Sequence, residues 1–210
     1  MANLLSDTIN YVVPFCRYQR ANIGTNNMPI IGIGCTVRNI ILSAPFQWKW
    51  NRNTATPITL VAGQQDYSAV IADLGFIEKA TVTDTDGKIY EIKEIYNSEP
   101  LAPSTTVGRP MALANQTGDA TGYTFRLSPV PDKAYILNIV YQKVAVQFAA
   151  ISDGWAPIPD YFSDVYNNLS LGYYMDSCQD PRGPQYISRG IAGLLARAQG
   201  LKDTDRLLFA

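Results

Sequence analysis

The chain has 210 residues, 47% of them hydrophobic and only 17% charged, with 17 Lys and Arg against 18 Asp and Glu. That is apolar matter enough for a sizeable core and no composition for disorder, and the near-neutral balance excludes a dedicated basic nucleic-acid domain. Histidine is absent, which removes Ser/His/Asp and Cys/His triads, an imidazole base and nearly every catalytic zinc site.

Taken in chain order, Leu4, Leu5, Ile9, Val12 and Val13 stand near helical spacing within residues 3–18, with Ser6 or Asp7 as N-cap and Pro14 as the bend or stop. The Gly/Asn run at 22–27 reads as a loop. Pro29 then opens a second helix, whose stripe of Ile33, Val37, Ile40 and Ile41 must end before Pro45. From Phe46 the period changes, and Phe46, Trp48 and Trp50 alternate with polar residues at strand spacing, as a core or interface strand. Short strands follow at 58–61 and around Tyr67. Residues 80–83 and 89–93 flank Asp84-Thr85-Asp86-Gly87, and Asp-Gly between two such runs predicts a hairpin. Residues 97–109 are rich in Pro, Ser and Thr and read as an exposed loop. Strands at 123–127 and 135–141 close the β region, and Ser152-Asp153-Gly154 ends it. Ile158, Phe162, Val165, Leu169 and Tyr173 step by three or four along a helix that starts near Pro157. After a turn at 176–184, a last helix spans 185–200, with Gly200 as its stop. The tail ends on the apolar Leu207-Leu208-Phe209-Ala210.

This order predicts an α+β fold: N- and C-terminal helices form a small helical bundle, with a central antiparallel β domain. The expected division is 1–45 with 157–200 for the helical part, 46–150 for the β domain and 201–210 for the tail. Charge is uneven along it, with a balance of +4 over residues 1–60, −5 over 61–125 and zero over 126–210. Such blocks suit head-to-tail contact between identical subunits. No stretch approaches the ~20 apolar residues of a membrane span, and no secretory signal opens the chain, so a soluble protein made inside the cell and without a membrane partner is expected.

Chemical motifs are sparse. Cys16, Cys35 and Cys178 are far apart and make no CxxC, which excludes a zinc ribbon and favours buried free thiols. Gly32-Ile33-Gly34 lacks the third glycine of a dinucleotide fingerprint and follows no strand, and no phosphate loop exists. Asp84-x-Asp86-Gly87 matches part of a calcium loop but lacks its later ligands, and the hairpin explains the same residues. The sequence therefore names no catalytic residue, no metal ligand and no cofactor. Carboxylate-based glycoside hydrolysis, or carbohydrate binding by the Trp48 and Trp50 rings, is the remote enzyme-class alternative.

Several segments together resemble bacteriophage head-to-tail adaptors of the podoviral neck, the tail tubular protein A type. The helical pair leads through Ile40-Ile41-Leu42-Ser43-Ala44-Pro45-Phe46-Gln47-Trp48-Lys49-Trp50-Asn51-Arg52 into the β region. Leu60-Val61-Ala62-Gly63-Gln64-Gln65-Asp66-Tyr67, Gly108-Arg109-Pro110, the Leu127–Asp132 stretch and Ile158-Pro159-Asp160-Tyr161-Phe162 follow in the order of such proteins. The short, proline-interrupted first helix departs from their pattern.

The resemblance implies a virion protein, assembled in the bacterial host cytoplasm, that forms a ring of twelve copies beneath the portal. It would link capsid to tail and line the DNA exit channel. Its partners would be copies of itself, the portal and a tail or nozzle protein, with double-stranded DNA passing through and not specifically bound. Arg206, Leu207, Leu208 and Phe209 are the expected contact with the portal or a neighbouring subunit. Another tail or neck ring, such as a terminator, stopper or baseplate component, is the alternative.

Overall fold

A computed structural model describes residues 3–15, 28–119 and 122–208, and the chain divides into two units, residues 1–51 with 145–210 and residues 52–144. The first is helical. Its helices are α1 (Leu5–Val12), α2 (Met28–Leu42), α3 (Ser163–Ser177) and α4 (Gly183–Leu208). Leu4 and not Ser6 or Asp7 is the N-cap of α1: Asp7 sits at the third helical position, where its Oδ2 accepts from Leu4 N–H at 2.8 Å. The next free amides of that terminus, on Leu5 and Ser6, donate at 2.9 Å to the carbonyls of Asp153 and Ile151, so a connection near the β region's end holds the first helix in place.

α3 is the centre of this unit. Val165, Tyr166, Leu169, Ser170, Leu171, Gly172, Tyr174 and Met175 are all buried along it. It packs on α4 at very short range through glycines. A Cβ at Gly172 would stand 2.6 Å from the Ile187 nitrogen, and one at Gly190 would stand 2.5 Å from Leu169 Cγ. α4 does not stop at Gly200. A helix-interior glycine costs about 1 kcal/mol relative to alanine, which the good helix formers around it offset. A glycine ends a helix where the chain turns left-handed at it, and here the helix continues through it.

The second unit is built from strands: β1 (Arg52–Thr54), β2 (Ile58–Leu60), β3 (Asp66–Ala69), β4 (Leu74–Asp84), β5 (Ile89–Glu91), β6 (Glu94–Tyr96), β7 (Val107–Gly108), β8 (Ala112–Asp119), β9 (Gly122–Ser128), β10 (Val130–Pro131) and β11 (Tyr135–Lys143). One sheet runs β1-β11-β4-β5, with β2 also on β11, a second runs β3-β9-β8-β6, and β7 with β10 makes a two-stranded third. Pairing is antiparallel except β6 with β8 and β7 with β10, which are short parallel additions. Tyr135, Leu137, Ile139 and Tyr141 alternate inward on β11, and Tyr67, Leu113, Phe125 and Leu127 face them from the second sheet, giving one core. The whole chain is thus α+β, its terminal helices flanking a β region.

The Asp-Gly hairpin forms as β4 and β5. Asp84 N–H donates to Lys88 O and Gly87 N–H to Asp84 O, both at 2.9 Å, with Gly87 at φ +77°, which glycine adopts without penalty. The Pro/Ser/Thr-rich segment forms no strand between Asn97 and Thr106.

Candidate assembly site

The aromatic run after α2 is not a strand. Lys49–Asn51 is a 3-10 turn, and Phe46–Trp48 has no ladder partner. Alternation of large rings here comes from stacking: Phe46 and Trp48 lie 5.7 Å apart at 14°, Trp48 and Trp50 5.5 Å apart at 13°. Phe162 meets the latter two edge-on, at 5.2 and 5.6 Å. Trp48 is buried and its Nε1 donates to Ile41 O at 2.6 Å, tying the ladder to the end of α2. Phe46 and Trp50 are half-buried in the same cluster. These rings are packed among one another, with Trp48 at the centre of the stack.

Next to this ladder the surface opens. Tyr161 is 60% exposed, 5.0 Å from the Phe162 ring. Arg197 of α4 lies over Phe162 at 5.2 Å and donates from Nη2 to Tyr161 O at 2.9 Å and to Asp164 Oδ1 at 2.6 Å. Asp164 stands in the first turn of α3, where the helix dipole also favours a carboxylate. One cation thereby joins both long helices at the exposed end of the aromatic ladder. Nothing in the spacing of Tyr161, Asp164 and Arg197 announces this; it exists only once α3 and α4 are side by side.

Among the described residues of the helical unit, α4 carries the broadest exposed face. Pro184, Gln185, Ser188, Arg189, Ala192, Leu195, Ala196 and Gln199 are exposed, and Arg189 is the single charge among them. A helix face this poor in charge is one that another chain can cover at low desolvation cost. Arg206, Leu207 and Leu208 continue the same helix in its last turns, their side chains lying outside the described part of the structure together with the whole of Phe209. The Cys16 thiol and the loop at 22–27 also lie outside the described residues.

Arg38 is the one charged residue of α2. It is 5% exposed, its guanidinium 4.6 Å above the Phe148 ring, and its Nη2 donates to Ala156 O. Burial pulls its pKa down, opposed by the charges of Cys35 and Asp153. Among the described residues no group of His, Cys, Asp and Glu is arranged to hold a metal ion. At the calcium-like turn, the Asp84 carboxylate is already taken by Lys133 Nζ at 2.6 Å and by Thr85 N–H at 2.6 Å, which hold its pKa below the usual range. No helix among the described residues is long and apolar enough to cross a membrane.

No curated protein matches the chain. Among solved structures, a chain from the neck of an empty GTA particle computed with C6 symmetry aligns over 82% of this chain and 77% of its own, at 11% identity and a TM-score of 0.27. The family model of the SU10 adaptor protein matches residues 38–207, from within α2 through the whole β unit and almost to the end of α4. That span takes in both the aromatic ladder and the free face of α4, and the chain belongs to the SU10 adaptor protein family.

Proposed function

We propose that this protein is the head-to-tail adaptor that forms a ring of twelve copies beneath a phage portal, links capsid to tail and lines the DNA exit channel. The family match over residues 38–207 carries the reading, because it puts the chain among adaptor proteins, and a head-to-tail adaptor is the role that this supports. The low charge of the exposed α4 face supports contact with like subunits, since a ring needs one surface of each copy to meet a different surface of the next. The net charge of −1 supports a conduit, because a strongly basic lumen would retain the duplex it must release. In this reading α4 extends toward the portal and Arg206, Leu207, Leu208 and Phe209 make the terminal contact with it or with a neighbouring subunit. The other side of the ring receives a tail or nozzle protein, and assembly takes place in the host cytoplasm. Function is by assembly, without a chemical step.

The test is light-scattering mass with negative-stain imaging of the purified protein, alone and mixed with the portal of the same phage. A ring that forms on the portal, and that is lost on deleting residues 201–210 from a chain that still folds, is the expected result. A chain that stays monomeric and indifferent to portal overturns it.

A further inference from the structure

In the β unit, Arg52, Lys79, Arg126, Lys133 and Lys143 each stand within 4 Å of a carboxylate. Lys88, Lys93 and Arg109 have no such partner among the described residues, and all three border one place. Lys93 and Arg109 line an open groove of about 520 Å³ with Ile89, Tyr90, Glu91 and Ile92. Arg109 lies 4.2 Å and Lys88 5.3 Å from the centre of the Tyr90 ring.

The groove runs along a free sheet edge. β5 is the outer strand of its sheet. Asp84 N–H donates to Lys88 O, Ile92 N–H donates to Ala80 O, and Tyr90 stands opposite Val82, so residues 88, 90 and 92 face β4. By the alternation of an antiparallel ladder, Ile89 and Glu91 aim their N–H and C=O groups the other way, into the groove. The neighbouring stretch of the same edge is treated differently. At Ile77 of β4 the side-chain amide of Asn97 caps the strand, its Oδ1 accepting from Ile77 N–H at 2.9 Å and its Nδ2 donating to Ile77 O at 3.3 Å. One part of the edge is closed by a side chain, and the part beside three unpaired cations is left open.

We propose that β5 receives an extended acidic segment of a different protein as an added strand. The segment's main chain pairs with Ile89 and Glu91, and its carboxylates meet Arg109, Lys88 and Lys93 around the Tyr90 ring. Among the described side chains, a second copy of this chain offers no free acidic strand as the complement. In the β unit Asp66, Asp73, Glu78, Asp84 and Glu91 are engaged in ion pairs, and Glu94 and Asp132 accept from the hydroxyls of Tyr96 and Tyr135. Asp86 stands in the hairpin turn and Glu99 directly before Pro100, neither within a strand, and the described carboxylates of the helical unit lie on helices or short connections. The proposal concerns the surface of a single copy and holds with or without a ring.

The experiment is a titration of the full chain, followed by its amide NMR signals, with a blocked peptide Thr-Val-Glu-Val-Glu-Val-Thr. Its lysine counterpart and octathymidylate run in parallel. The expected result is that the acidic peptide shifts the Ile89 and Glu91 amides and slows their exchange with solvent. The lysine peptide should not, and Arg109→Ala, an exposed position, should weaken binding by roughly tenfold. No shift at those amides with millimolar acidic peptide overturns the proposal, as does an equal response to the lysine peptide. Tighter binding of octathymidylate at the same residues would make the groove a nucleic-acid site and overturn it too. Self-association of the chain alone that Arg109→Ala abolishes would assign the edge to a second copy, again against the proposal.

Discussion

The helical unit and the β unit solve the packing problem in opposite ways. In the β unit the distance between neighbours is set by the ladder, and the side chains of the inner faces are mainly aliphatic with a few tyrosines. Those tyrosines end on polar partners: Tyr67 hydroxyl accepts from Val61 N–H at 2.9 Å, and Tyr141 donates to Asp73 at 2.6 Å. In the helical unit no ladder fixes the spacing, and large rings fill the space while glycines bring two helices almost to backbone contact. Trp155 stacks on Tyr166 at 4.2 Å and meets Phe148 edge-on at 5.0 Å. The lesson is where each unit is fragile: the helical one at individual rings and glycines, the β one at its inner aliphatic row and its charged strand partners.

The largest test of that contrast is ring removal. Trp155 is 1% exposed and its Nε1 donates to Thr8 Oγ1 at 3.0 Å. Trp155→Ala should cost about 4 kcal/mol, and Leu137→Ala, in the middle of β11, about 3 kcal/mol. Denaturant unfolding of both variants checks the order, and a Trp155→Ala penalty near that of a surface substitution would refute the account of the ring cluster. The next test uses one substitution with two signs. Gly172→Ala drives a Cβ to 2.6 Å from the Ile187 nitrogen and 3.0 Å from the Gly183 oxygen, backbone atoms that yield only if α3 and α4 part. The expected cost is about 2 kcal/mol. Gly32→Ala in α2 meets nothing within 4 Å and should stabilise by up to about 1 kcal/mol, the helix-propensity gain alone. Equal effects at the two positions would mean that helix contact is not what Gly172 serves.

The same contrast explains what could be read in advance. The hairpin at Asp84–Gly87 and the terminal helices rest on neighbours in sequence, and both were legible. β8 was not: Ala112–Asp119 carries no β-branched residue but Thr117, and it is a strand because β9 pairs along its length. The alternation of Phe46, Trp48 and Trp50 was visible, yet stacked rings beside a 3-10 turn leave the same period-two trace as a strand. Gly200 read as a stop because the local rule cannot see whether the chain turns left-handed there. For the assembly site, the order of segments led to the neck adaptors, whereas the Arg197 clamp and the Lys88, Lys93 and Arg109 cluster join residues brought together only by folding.

Alkaline titration separates the units more gently. Burial, reinforced by a hydrogen bond to Asp132 or Asp73, pushes Tyr135 and Tyr141 of the β unit up to about 12, and burial does the same to Tyr166 on α3. An unfolded tyrosine ionises near pH 10. Between about pH 10 and 12 the unfolded chain therefore holds fewer protons than the folded one, and stability falls as pH rises, on the order of 1 kcal/mol per pH unit for each tyrosine. Tyr135→Phe and Tyr141→Phe should each flatten the decline followed by thermal melts across that window. A slope that neither variant changes would show that these hydroxyls ionise as freely in the fold as in the unfolded chain.

The smallest effect expected lies at the edge of the second β sheet. Asp66 on β3 stands opposite Arg126 on β9, accepting from Nε at 2.7 Å and from Nη2 at 2.8 Å. Arg126 Nη1 also donates to Leu101 O at 3.0 Å, so the pair tethers the loop that follows β6. The hydrogen bond from Arg126, more than burial opposes it, holds the Asp66 carboxyl below its ordinary range. With its pKa depressed on folding, Asp66 contributes stability that is fully present above the unfolded value near 3.9 and is lost as pH falls through the lower folded value. The Asp66 side chain is 44% exposed, so solvent screens the pair and Asp66→Asn should cost only about 0.5 kcal/mol at neutral pH. That gap should shrink below about pH 4 and in high salt, because protonation and screening remove from the natural chain what the substitution removes from the variant. A penalty unchanged at acid pH would place the contribution of Asp66 in its hydrogen-bond geometry on the β3–β9 ladder and not in its charge, which would bring this strand closer to the shape-dependent contacts of the helical unit.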